Sequence, residues 1–299
     1  MSYTLPLKTF KSSIRPVNTG KIRTPEVCSL PFISSEKGNT KPLFALEVLM
    51  NLPKNYSPVL RDYRCDLLSD MVKWAVKAEK VNSDFLALKF NIEDEAQIPK
   101  AKKLFEEILR LTKKELIVTG ANKKELDAIL LPELIAIADR DCIFGIAEQD
   151  NYREISKPLK NTNHYIIGRT PIDINLAKEL NILINEEGIS RDRILIDPNM
   201  GALGYGLDYG YSIIERTKLA GLDGDETLNM PVIVFAGEES WKSKEARSDD
   251  FSPSYGGLKD RAVAWEAATA SAVMNAGADI LVLWHPEVIE ALKVFTGEN

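Results

Sequence analysis

The chain has 299 residues, with 38 Lys plus Arg against 44 Asp plus Glu, a formal net charge of −6. Hydrophobic residues make up 44% and charged residues 27%, so the chain can bury a large core without help from a disulfide or a metal. The acidic balance argues against a nucleic-acid binder, and apolar runs spread along the whole length argue against disorder.

Residues 1–20 lack the apolar centre of a secretory signal, and no stretch approaches the ~18 apolar residues of a membrane span. Cys28, Cys65 and Cys142 lie far apart, and no CxxC pair exists. They are expected to be small buried or half-buried thiols in a reduced, cytoplasmic protein. A zinc site or iron–sulfur cluster held by this chain alone is not expected.

Residues 1–42 are polar and predict an arm or short hairpin across one end of the fold. After them come eight short apolar runs: Leu43–Glu47, Phe85–Phe90, Leu116–Gly120, Cys142–Ile146, Tyr165–Gly168, Ile194–Asp197, Val232–Ala236 and Ile280–Trp284. Their hydrophobicity is continuous rather than alternating, as strands buried on both faces require. Helices are expected between them. Residues 64–80 place Leu67, Leu68, Met71, Val72, Ala75 and Val76 on one stripe, and residues 99–111 do the same from Pro99 onward. Thr170-Pro171 reads as an N-cap and first helical residue, and His285-Pro286 opens the last helix. Lysines 100, 102 and 103 belong to a solvated helix face.

Eight β/α repeats predict an α/β fold, a (β/α)8 TIM barrel over 43–299 with an N-terminal arm. The competitor is a doubly wound open sheet, disfavoured by the count of eight and by the lack of GxGxxG after the first strand. Function in a barrel sits at the C-terminal strand ends. The candidates there are Glu47, Lys89, Glu148 with Gln149, Arg169, Asp197 with Asn199, Glu238 with Glu239, and His285. Loops 201–208 and 237–257 are long and belong to the same end. Gly201, Gly204 and Gly206 form GxxGxG, which is neither of the known phosphate cradles. It reads either as a tight turn into a helix near 209–220 or as a flat, side-chain-poor surface for a planar group or partner. His164 precedes its strand and is assigned to structure; His285 suits a helix cap better than catalysis. No nucleophile, metal or paired-carboxylate pattern names a reaction, and no catalytic or metal residue is assigned.

The segments GIAEQDNY (145–152), IIGRTPIDIN (166–175), DPNMGALGYGLDY (197–209) and MPVIVFAGEESW (230–241) carry a specific resemblance. In this order they are similar to the small (delta) subunit of the corrinoid iron–sulfur protein of the CO dehydrogenase/acetyl-CoA synthase system. Weaker similarity covers LPF at 30–32, residues 43–48 and residues 264–287. The resemblance implies a TIM barrel paired with a large subunit that carries the [4Fe–4S] cluster and a corrinoid domain. The corrinoid (cobamide) would lie base-off at the interface, capped by the barrel. Its cobalt takes a methyl group from methyltetrahydrofolate or a related pterin through a methyltransferase, and delivers it to acetyl-CoA synthase in the reductive acetyl-CoA pathway. Asn199, Met200, Gly201, Gly204, Tyr205 and Gly206 are expected nearest the corrin, with Asp197, Arg169, Asp173, Glu148 and Gln149 behind them. Two positions depart from the family pattern. Ile146 stands where the family has Asn, and Asn91 where it commonly has Asp. The alternatives are a free-standing barrel methyltransferase for a pterin methyl donor, and a structural partner without corrinoid contact.

Overall fold

The structure is a computed structural model, and it describes residues 8–31, 41–67 and 69–297. Leu68 and Phe32, named above, lie outside the described residues, as do 1–7 and the rest of 32–40 of the arm.

A two-stranded antiparallel hairpin, β1 (Asn18–Thr19) and β2 (Ile22–Arg23), precedes the main sheet. It sits under the N-terminal strand ends. The Asn18 N–H donates to the Tyr165 hydroxyl and the Lys21 N–H to the Glu115 carboxylate, while Val17 packs with the interior side chains.

Eight parallel strands follow among the described residues: β3 (Leu43–Leu49), β4 (Phe85–Lys89), β5 (Glu115–Thr119), β6 (Cys142–Ala147), β7 (Tyr165–Arg169), β8 (Ile194–Asp197), β9 (Ile233–Val234) and β10 (Ile280–Leu283). Each expected run overlaps one. β3 pairs with β10, β10 with β9, and a single bridge between Ile196 and Val232 joins β8 to β9, so the sheet closes. Closure excludes the open doubly wound sheet. Alternation along each strand puts Ala45, Phe85, Ala87, Ile117, Ile143 and Ile167 inside the barrel and their neighbours under the helices. Ile146 lies in the interior cluster, buried.

The helices are α1 (Pro58–Arg64), α2 (Met71–Ala78), α3 (Ile98–Leu111), α4 (Lys124–Ile135), α5 (Tyr152–Leu159), α6 (Ile174–Glu186), α7 (Leu207–Leu222), α8 (Ala236–Ser240), α9 (Leu258–Ala276) and α10 (Pro286–Phe295). No helix among the described residues is long and apolar enough to cross a membrane.

Four expectations need correction. The helix over 64–80 is broken. α1 ends at Arg64, a 3-10 turn covers Cys65–Leu67, and α2 restarts where the Asp70 carboxylate accepts the Lys73 N–H. Cys65 stands at that break with φ 36° and is exposed, not half-buried. Thr170-Pro171 does not cap α6; Asp173 does, accepting from the N–H groups of Asn175 and Leu176, while the Thr170 N–H stays bonded to the Asp197 carbonyl. The run Val232–Ala236 yields a strand of two residues, because α8 begins at Ala236. Gly237 is pressed against the chain there, and an added Cβ would come within 2.6 Å of the Trp284 nitrogen.

Candidate functional site

At the C-terminal end of the barrel, the alternation that buries apolar residues lower down turns charged ones inward. Glu47, Lys89, Arg169 and Asp197 occupy the positions two residues beyond Ala45, Ala87, Ile167 and Leu195. All four are buried or nearly so, and a buried charge persists only when paired.

The pairing is complete on one side. Arg169 Nε lies 2.6 Å from Asp197 Oδ2, and the guanidinium sits 5.3 Å from the centre of the Phe235 ring. Burial opposes the charge on Arg169, but the Asp197 carboxylate beside it holds its pKa above the usual value. Asp197 Oδ1 accepts the Asn199 N–H at 2.9 Å, which fixes a turn where Asn199 has φ 50°.

Across the mouth, Lys89 Nζ lies 2.5 Å from Glu238 Oε2, and Lys242 approaches the other oxygen at 3.2 Å. Burial pushes the Glu238 carboxyl up, but the two lysines overcome it and hold the group at about 2. Glu47 faces the same lysine from the other side. Its burial outweighs the pull of Lys89 and raises its pKa; one oxygen accepts the Trp284 indole N–H, and the other has no partner among the described residues. Behind it, Arg64 is buried against the Trp74 ring at 3.4 Å, with Nε and Nη1 also unpartnered among the described residues.

The site residues expected from the sequence divide into three groups. Glu148, Gln149, Arg169 and Asn199 line one cavity of about 370 Å3 beside α6, with Asp197 joined to it through Arg169. Asp173 is not with them; its carboxylate is used by the helix cap. The glycine-rich loop forms a separate face. Met200 and Ala202 are buried beneath it, and the Leu203 N–H donates to Thr269 on α9. Gly204 has φ 80° and lies over Trp265, whose indole N–H is buried without a partner among the described residues. From this loop Tyr205 projects, 68% exposed, and Tyr209 follows on the first turn of α7, 66% exposed. Residues 198–207 contain no charged side chain.

His285 caps α10, its Nδ1 accepting the Glu287 N–H at 3.3 Å, and His164 accepts the Cys142 N–H below the sheet. Both are structural, as their positions in the chain suggested. Asn91 is tied to Asn51 by reciprocal bonds, the Asn51 N–H donating to its Oδ1 at 2.9 Å. Tyr209 and Trp265 were not singled out from the sequence. Tyr209 was within reach, since it closes the DPNMGALGYGLDY motif at the start of the helix expected near 209–220; Trp265 was not, because only packing sets α9 against the loop.

The fold defines the class: a TIM barrel. Superposition on dihydropteroate synthase from Burkholderia cenocepacia gives a TM-score of 0.60 at 14% identity, covering 95% of this chain and 96% of that one. The Xanthomonas albilineans enzyme gives 0.58 at 14% identity, covering 86% and 93%. The likeness is one of fold alone.

Sequence decides the family. Residues 39–298 match the CO dehydrogenase/acetyl-CoA synthase delta subunit, and the chain belongs to that family. It is 31% identical over 265 residues to the acetyl-CoA decarbonylase/synthase complex subunit delta of Archaeoglobus fulgidus, covering 84% of this chain and 58% of the relative. Against subunit delta 1 of Methanosarcina thermophila it is 30% identical over 237 residues, covering 75% and 54%. The chain thus matches little more than half the length of these archaeal relatives.

Proposed function

We propose that this chain is the barrel component of a corrinoid methyl carrier, and that the loop 198–207 covers one face of a base-off corrinoid held jointly with a larger subunit. The observation that carries this reading is the loop itself. It is uncharged, it exposes Tyr205 beside Tyr209 of α7, and it rests on Trp265, whose buried indole N–H lacks a partner among the described residues. Those groups suit a broad macrocycle with a carboxamide fringe: aromatic faces for the ring, hydroxyls for the amides, and no ionic group to desolvate. Bound there, the corrinoid would supply the cobalt that takes up and releases a methyl group.

The chain's own residues position and exclude. Met200 and Ala202 anchor the loop, the Arg169–Asp197 pair sets the turn at Asn199, and the tyrosines shield the covered face from water. On this reading the [4Fe–4S] cluster belongs to the larger subunit. A methyltransferase using methyltetrahydrofolate or a related pterin and acetyl-CoA synthase are the proteins with which the methyl group is exchanged, in the cytoplasm.

A self-contained methyltransferase for a pterin methyl donor would need strand-end Asp and Arg groups free to meet the pterin edge. Arg169 and Asp197 are instead bonded to each other at 2.6 Å. Co-expression with the large subunit should yield an equimolar complex carrying one cobamide, read from its visible spectrum and cobalt content. Tyr205→Ala combined with Tyr209→Ala should lower cobamide retention by about tenfold with the thermal midpoint unchanged, since both side chains are exposed. A chain that forms no complex and by itself binds methyltetrahydrofolate tightly would overturn the reading.

A further inference from the structure

A second concavity opens at the barrel mouth, on the opposite side from the glycine-rich loop, with a volume of about 510 Å3. That is within the range of small-ligand sites. Four cations line it, Lys54, Lys89, Lys242 and Arg247, against one carboxylate, Glu238. In a chain whose net charge is −6, this is a local excess of positive charge in a recess, where low-dielectric walls focus the field.

The internal pairing does not consume that excess. Glu238 is already held by Lys89 and Lys242. Lys54 has no ion-pair partner among the described residues, and Arg247 spends only Nε, on the Ser243 carbonyl at 3.2 Å. The rim therefore presents two uncommitted cations, one of them a guanidinium suited to bidentate contact with an oxyanion. The wall below is aromatic, formed by Tyr56 and Trp284, whose ring centres lie 5.8 Å apart. Among the described residues, the buried Tyr56 hydroxyl has no partner, and behind Trp284 one oxygen of Glu47 is likewise unpartnered. Unsatisfied polar atoms are rare in a folded interior, and here they cluster beside a cavity.

We propose that this cavity binds a small organic anion, its phosphate or carboxylate group held at the rim by Lys54 and Arg247 and its body lying against Tyr56 and Trp284. Lys89 is the fixed floor, paired with Glu238. Lys242 is the adjustable wall: it is exposed and shared between Glu238 and Glu239, so it can turn toward an incoming anion without leaving Glu238 unpaired.

Titration calorimetry on the full chain at low salt, with pyrophosphate and with phthalate as separate probes, tests the site. At least one should bind saturably with a Kd below about 1 mM. Lys54→Ala combined with Arg247→Ala should weaken it by about tenfold or more, and added salt should weaken it further. Preference for pyrophosphate assigns a phosphate ligand and preference for phthalate a carboxylate one, and either supports the proposal. Absence of saturable binding by both probes, or binding unchanged in the double variant, would overturn it. Neither probe requires a corrinoid or a second subunit, so failure here leaves the loop 198–207 reading standing, and the reverse also holds.

Discussion

Replacing Lys218 by Met attacks the seam where the barrel closes. The Lys218 side chain is 1% exposed, and its ammonium lies 2.7 and 2.6 Å from the two oxygens of Asp279. The same carboxylate accepts the Val232 N–H at 2.6 Å, and Val232 makes the one bridge to Ile196 that joins β8 to β9. Burial lowers the Lys218 pKa against the pull of Asp279, which marks the ion pair as dependent on its partner. Breaking one half of a buried pair costs about 3–5 kcal/mol. Asp279 would keep the Val232 N–H and is 13% exposed at its side chain, so the low end applies, about 3 kcal/mol. Met keeps most of the apolar stem, which leaves little cavity to add to that figure. Urea denaturation should show the midpoint falling with the slope unchanged. Adding Asp279→Asn to Lys218→Met removes the stranded charge and should recover about 1 kcal/mol or more. The reasoning fails if the single variant loses less than about 1 kcal/mol, or if the double variant is no more stable than the single.

Two further outcomes concern the buried network beneath α8 and α10. Burial depresses His285 to about 4 from 6.5, so between those values the unfolded chain binds a proton that the folded chain refuses. Its contribution to stability is complete above pH 6.5 and is lost as pH falls through 4. His285→Asn, which keeps the helix cap, should therefore reduce the loss of stability between pH 7 and pH 4 by about 3 kcal/mol in paired urea titrations; parallel curves would contradict this. Glu266 accepts the Trp241 indole N–H at 2.8 Å and the N–H groups of Trp284 and His285, while burial pushes its pKa up to about 7. Glu266→Gln turns an amide donor toward one of those N–H groups and should lower stability by about 2 kcal/mol despite its matched size; a neutral result by thermal melting would reject the donor count.

The strands were legible in the sequence because a parallel strand buried on both faces must be apolar throughout, and eight such runs survive as eight strands. His285-Pro286 was equally plain, since the cap and the proline sit side by side in the chain. The cap of α6 was less so. Thr170 and Asp173 are both capping residues, and the choice fell to Asp173 because the Thr170 N–H is taken by the Asp197 carbonyl on the adjacent strand. The brevity of β9 was hidden for a similar reason. Val232–Ala236 is apolar whether it runs as strand or turns into α8, and the turn depends on Gly237 fitting against Trp284, far along the chain.

The charges at the barrel mouth divide in the same way. Composition, the eightfold repeat and the ordered motifs from Gly145 to Trp241 were enough to predict a barrel and its family. They could not say which charges meet. Lys89 and Glu238 are 149 residues apart, and Lys218 and Asp279 are 61 apart. Each pair is brought together by closure of the sheet and is kept because an unpaired charge in that interior would be costly. Closure also separates the uncharged glycine-rich face from the cationic recess, a division that sequence order, with Tyr205 only 42 residues before Arg247, does not reveal.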